Sequence, residues 1–308
     1  MKEKNAKKAA VCAVLAALVW GLAFAFQRMA TEYLGPFSFQ LGRSIPAALC
    51  LGVLAALRAK AGAVPCQPGG EKKMVLGAVI CGALLFAASY CQQAGLATTT
   101  AGMAGFLTAI YIVLVPVIAA VFLRRKLALP VWLGVALADL GLYFINVAPG
   151  SFHIGRGDTL VICCALLFAF HILTVERFIP GNDPVVFSCI QFGTCAALNL
   201  VGMMISGESP GPEDFRLCLG SILYVGVVSG AVGYTLQIAA QKAGNTVGVS
   251  LLLSLECVFS LLGGALLLGE RLSLRQGVGC ALIFAAVTLT QLFAGGEEET
   301  KHSADPAN

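Results

Sequence analysis

Ten apolar segments run along this chain, and they fall into two sets of five, the second repeating the first. A helix needs about 20 residues to cross roughly 30 Å of hydrocarbon. The segments that reach or approach that length cover residues 9–28, 36–57, 74–96, 99–123, 130–147, 158–178, 184–206, 217–240, 247–268 and 275–293. Residues 107–137 lie over 252–282 without a gap at an offset of 145, pairing Leu107 with Leu252, Val113 with Val258, Ala120 with Ala265 and Gly134 with Gly279. A weaker register at 148 pairs Ala17 with Ala165, Leu18 with Leu166, Pro36 with Pro184 and Ala48 with Ala196. Five is odd, so the second copy enters the bilayer from the opposite side. The expected fold is all-α and integral to a membrane, with ten transmembrane helices built as two inverted five-helix repeats over 9–147 and 158–293. That architecture suits alternating access, which points to transport of a small-molecule substrate.

Composition agrees with immersion in a lipid bilayer. Hydrophobic residues make up 58% and charged residues 12%, with mean hydropathy +0.86, too apolar for a soluble domain of 308 residues. The formal charge of +4 reports topology, and no basic face with interleaved aromatics calls for a nucleic-acid partner. With the N-terminus inside, the inner connections hold Lys2, Lys4, Lys7, Lys8, Arg58, Lys60, Lys72, Lys73, Arg124, Arg125, Lys126, Arg177, Lys242 and Lys301. The outer ones hold only Arg28, Arg156, Arg216, Arg271 and Arg275. This bias places both termini in the cytoplasm. MKEKNAKK before an apolar run has the look of a signal peptide, but nine further spans follow, so a retained first helix is expected. Residues 294–308 read as a disordered cytoplasmic tail.

Of twelve cysteines, ten sit inside apolar spans and only Cys66 and Cys218 lie near span ends or loops. No CxxC pair or Cys/His spacing marks a metal site, and no cofactor is expected; the thiols read as small packing residues. Gly226-x-x-x-Gly230, Gly77-x-x-x-Cys81 and Gly263-Gly264 predict close helix approach. Pro46 and Pro116 lie inside spans and invite bends.

Ionisable groups deep in a span are costly, and four stand out: Arg43, Asp139, His171 and Glu256. Arg43 lies roughly 10 Å below the outer end of the second span, and Glu256 roughly 13 Å from the inner end of the ninth. They either pair with each other, or Arg43 holds an anionic substrate group while Glu256 holds an ammonium or a coupling proton. The repeat registers set Arg43 over Gln191 and Glu256 over Tyr111, so a shared cavity would be polar on both sides but chemically asymmetric. Asp139 lies over Phe284 and reads as a proton site or a partner of Arg43; His171 lies over Ala23 and Trp20 over Phe168. For His171 and Trp20 the competing reading is plain packing. The candidate substrate-binding set is thus Arg43, Glu256, Gln191, Tyr111, Trp20, Asp139 and His171. Tyr90 and Gln93 lie over Tyr234 and Gln237 at an offset of 144, on one helix face in each copy. The first pair is expected near an outer gate and the second near an inner one, with interfacial aromatics as the alternative.

At these residues the chain resembles the EamA-type drug/metabolite transporter superfamily. WGLAFAFQR in the first span resembles that family's Trp-Gly signature, Arg43 sits where its second helix often carries Arg, and LSLECVFSLLGGALLLGERLS resembles its ninth-helix pattern. Cys257 stands where the family usually has Pro, and Leu123 to Lys126 replace the Gly-Glu-Arg ending in the first half. The resemblance covers residues 9–293. It implies a ten-helix carrier in the cytoplasmic membrane of a prokaryote, commonly an exporter of amino acids or other small metabolites, with Glu270, Arg271 and Leu272 serving topology at a helix end. It does not fix the solute.

A multidrug or nucleotide-sugar-type carrier fits the same frame, though Arg43 and Glu256 favour a polar metabolite. A membrane-embedded enzyme lacks the usual catalytic motifs, since HExxH and P-loop patterns are absent. A channel would show a repeated pore loop rather than two halves with discrete buried charges. Proton coupling and a homodimer are both left open.

Overall fold

The computed structural model describes residues 2–62, 70–99, 101–146, 155–267 and 273–294, all helices and short connections with no strand among them. The helices are α1 (Lys2–Ala30), α2 (Pro36–Lys60), α3 (Glu71–Leu96), α4 (Ala101–Ala109), α5 (Tyr111–Val121), α6 (Leu129–Asn146), α7 (Arg156–Phe178) and α8 (Pro184–Ser206). The short α9 (Pro212–Leu217) and α10 (Leu219–Leu223) lead into a π-helical stretch, π1 (Tyr224–Tyr234), and then α11 (Thr235–Ala243). The chain continues as α12 (Thr246–Leu253), α13 (Leu255–Leu267) and α14 (Leu274–Ala294). Seven helices are long and apolar enough to cross a membrane, and three shorter apolar helices, Leu129–Ile145, Thr246–Leu262 and Leu274–Thr290, fall on the fifth, ninth and tenth expected spans. Cys66, the Glu270–Leu272 segment and the tail from 295 lie outside the described residues.

Local chemistry sets the ends. Pro36 and Pro184 open α2 and α8, where a missing N–H costs nothing. The α8 N-terminus is capped by Asp183, which accepts from the backbone N–H of Val185 and Val186. Gly207 closes α8 with φ 73°, a left-handed value that favours glycine. The α2 N-terminus has no cap of its own. Glu208 supplies one from across the bundle, its carboxylate accepting from Phe37 N–H at 3.3 Å, Ser38 N–H at 2.8 Å and the Ser38 hydroxyl at 2.5 Å.

Two expected spans are broken, and the breaks lie one residue apart when the 145 register is applied. The fourth span is interrupted at Ile110, and the ninth at Ser254. In the ninth no proline is involved. The Ser254 hydroxyl donates to Leu251 O at 2.6 Å and that of Ser250 to Val247 O at 2.8 Å, and such back-bonding loosens the helical ladder. In the fourth the break precedes Pro116, whose ring already weakens that turn. The residues just past the breaks are Tyr111 and Leu255-Glu256.

The bundle packs by pairs drawn from the two halves: α2 on α8, α6 on α14, α3 on α7, and α1 on π1, α11, α12 and α13, while α4 and α5 lie on α7. Close approach needs glycine at the crossings. A Cβ on Gly141 would stand 2.7 Å from Gly279 O, and one on Gly279 would stand 2.6 Å from Gly141 O. On Gly226 it would be 2.5 Å from Arg43 O, so glycine is what lets π1 lie against α2 beside that arginine.

Candidate functional site

One cavity brings together the buried ionisable residues Arg43, His171 and Glu256 with several uncharged polar ones. It is lined on α1 by Trp20, Ala23, Phe24 and Gln27, on α2 by Arg43, on α3 by Gln92 and on α4 and α5 by Thr108 and Tyr111. The second half adds Phe168, His171 and Ile172 from α7, Ser229 and Tyr234 from π1, Gln237 from α11 and Glu256 from α13. The α1 residues follow the i, i+3, i+4, i+7 spacing of one helix face. Glu256 and Tyr111 arrive directly after the two helix breaks, where a discontinuous helix can turn side chains inward.

Arg43, 4% exposed, is held from two sides. Its Nε donates to Gln40 Oε1 and its terminal nitrogen donates to the Ser89 hydroxyl at 2.8 Å. The Gln40 amide is oriented in turn by donating to Ser89 O at 2.9 Å. Arg43 and Glu256 face the same cavity but do not pair. Glu256 is 3% exposed and its Oε1 has no hydrogen-bond partner; the same is true of Tyr111 Oη, His171 Nδ1 and Gln237 Oε1. Buried polar atoms are rarely left so. Four such atoms surround one cavity, so its wall carries hydrogen-bonding capacity that the protein itself leaves unfilled.

Gln191 stands behind the wall, its Oε1 3.1 Å from His171 Nε2. As oriented, that contact puts the proton on Nε2 and leaves Nδ1 as an acceptor. Trp20 Nε1 donates to Ser229 O at 3.1 Å, and its ring lies 4.8 Å from that of Tyr234, which also meets His171 and Phe192 edge-on. Asp139 is elsewhere: it is exposed on the outward face of α6, as its repeat mate Phe284 is on α14.

The four gate candidates separate. Tyr234 and Gln237 line the cavity. Tyr90 stacks on Phe37 at 4.4 Å between centroids, away from it. Gln93 donates to Gln27 O at 3.2 Å and lines a second pocket formed by Thr31 to Pro36 and Ala97. Gln27 and Gln93 thus form a partition between the two spaces, and next to it Arg28 donates to Leu96 O.

Gln27, Gln92, Thr108 and Ser229 escaped the sequence reading. They are uncharged and near span ends or among small residues, and the only signal for them is helical spacing: Gln27 is seven residues after Trp20, and Thr108 is three before Tyr111. The π1 stretch had no signal beyond its three glycines, Gly226, Gly230 and Gly233.

The model of the EamA-like transporter family matches the chain twice, over residues 7–147 and 155–292. An uncharacterized transporter of Archaeoglobus fulgidus is 30% identical over 284 residues, covering 90% of this chain and 84% of its own length. A solved crystal structure superposes with a TM-score of 0.70 at 20% identity, over 94% of this chain and 98% of that one, a likeness of fold alone. With both halves matched and the cavity between them described, the chain belongs to the EamA-like transporter family of multi-pass membrane proteins.

Proposed function

We propose that this protein is a secondary transporter that exports a small polar metabolite, of the kind amino acids represent, across the cytoplasmic membrane of a prokaryote by alternating access. The observation that carries the reading is the lining of the cavity. Trp20 and Phe168, Ala23 and His171, Phe24 and Ile172, and Tyr111 and Glu256 are repeat mates, and all eight face the same space. A cavity shared by equivalent residues of both halves is what two inverted repeats rocking about a central site require.

Packing supports the same symmetry. Gly134 meets Ala286 and Thr290, and the 145 register turns these contacts into Gly279 with Gly141 and Gly279 with Ile145, both of which occur. Polar links at helix ends support ten crossings with both termini cytoplasmic. Arg58 with Asp183 at 2.7 Å, Arg125 with Glu176 at 2.8 Å and Lys242 with Asn182 O at 2.5 Å join ends assigned to the inside. Glu208 with α2, Thr99 with Asp158 and Arg275 over Tyr143 join ends assigned to the outside. The Gln27 and Gln93 partition is the outer gate in this reading, and Tyr234 with Gln237 belong to the inward path.

Counterflow in proteoliposomes against amino acids, polyamines and organic acids tests this, with Arg43→Gln and Glu256→Gln alongside the parent. Solute-specific exchange abolished by either change is expected. Folded, inserted protein that exchanges nothing would overturn the carrier reading.

A further inference from the structure

The fully buried side-chain atoms left without a partner around the cavity are not a random mixture of donors and acceptors. Three are acceptors: Glu256 Oε1, His171 Nδ1 as oriented, and Gln237 Oε1; the fourth, Tyr111 Oη, can accept as well. The Gln237 orientation is set by Gln241, which stands outside the cavity lining. Ile172 O can only accept, and it receives Gln241 Nε2 at 2.8 Å; this turns Gln241 Oε1 toward Gln237, which must then offer its nitrogen, at 3.1 Å. Gln237 is left presenting oxygen. The strongest donor in the lining, Arg43, is turned toward Gln40 and Ser89, which take two of its five N–H groups in an arrangement anchored on Ser89 O. The wall between these groups is aromatic: Trp20, Phe168 and Tyr234.

We infer that the cavity selects a protonated amine, with the ammonium donating to Glu256, His171, Gln237 and Tyr111 and lying against the faces of Trp20, Phe168 and Tyr234. An ammonium brings three N–H donors and a positive charge, which fits one carboxylate and two neutral acceptors in a desolvated site, and aromatic faces attract it further. A free carboxylate ligand would meet lone pairs at all of these positions except the Tyr111 hydroxyl. The inference rests on the carrier reading only in taking this cavity as the ligand site.

The test uses the full chain in nanodiscs and three ligands of one shape: phenylethylamine, its N-acetyl derivative and phenylpropionate. Binding is followed by calorimetry and exchange by counterflow. Expected is binding of the amine at least tenfold tighter than of the other two, lost in Glu256→Gln and weakened severalfold in Gln237→Leu, a second variant outside the two charged positions. Binding of phenylpropionate in preference to the amine overturns the inference, as does amine binding indifferent to both variants or no amine binding by folded protein. Exchange of carboxylates alone would keep the carrier and remove the amine site. Amine binding without exchange would keep the site and count against the carrier.

Discussion

The third span and its repeat mate, the eighth, carry the same Tyr-x-x-Gln pair, yet only the second presents both residues to the cavity. In the first half α3 is an unbroken α-helix, Tyr90 stacks on Phe37 and Gln93 closes against Gln27 O. In the second half the pair follows from π1, whose wider i to i+5 turns shift the helix face, and Tyr234 and Gln237 turn inward. A duplicated sequence therefore does not impose a duplicated site. The two halves differ in conformation here, and in the proposed alternating access such a difference between the repeats is what the cycle would use. The caps of α2 and α8 repeat the lesson: Asp183 caps its own helix and is held by Arg58, whereas α2 borrows Glu208 from the other half.

The comparison can be broken at its closest contacts first. Gly279→Ala directs a methyl at a backbone oxygen 2.6 Å away, so about 3 kcal/mol of destabilisation is expected, read as thermal unfolding in detergent. Its mate Gly134→Ala meets chiefly the Thr290 side chain, which can rotate, and about 1 kcal/mol is expected. Equal losses would mean that the two ends of the α6–α14 contact are packed alike.

The caps come next. Asp183→Ala removes both the N-cap and the partner of Arg58 and is expected to cost about 2 kcal/mol, while Glu208→Ala, acting on a more open end, should cost about 1 kcal/mol. Glu208→Gln, which keeps an acceptor, should fall below that in the same unfolding assay. A larger loss at Glu208 than at Asp183 would reverse the ranking.

The smallest effect is functional. Tyr234→Leu removes ring contacts to Trp20, His171 and Phe192 at the cavity, and about a tenfold loss of counterflow is expected, which corresponds to about 1.4 kcal/mol. Tyr90→Leu touches only the stack on Phe37 and should change counterflow by less than about twofold. Similar losses would show that both tyrosines work in the transport cycle and that the asymmetry belongs to one conformation.

Much of the site was legible because buried charge is expensive in hydrocarbon. Arg43, His171 and Glu256 stood out in apolar spans and reach one cavity, with Tyr111 and Trp20 found through the repeat. The same rule marked Asp139, which the fold turns outward on α6. Depth in a span can be read by counting residues, but the direction a side chain points depends on how its helix is rotated against neighbours. Gln191 shows a further limit: its position is equivalent to that of Arg43, yet His171 stands between it and the cavity.

The sequence by itself determined the apolar spans, the internal repeat and the family, because bilayer thickness fixes helix length and the hydrogen-bonding demand of the backbone permits little else there. Only the tertiary structure decided which half turns its Tyr-x-x-Gln pair inward, that Arg43 is held by Gln40 and Ser89 instead of Glu256, and that Glu256 Oε1, His171 Nδ1 and Gln237 Oε1 stand without a protein partner at the cavity. Those outcomes depend on helix rotation, on breaks at Ile110 and Ser254 and on glycine-permitted crossings, which arise between segments far apart in the chain.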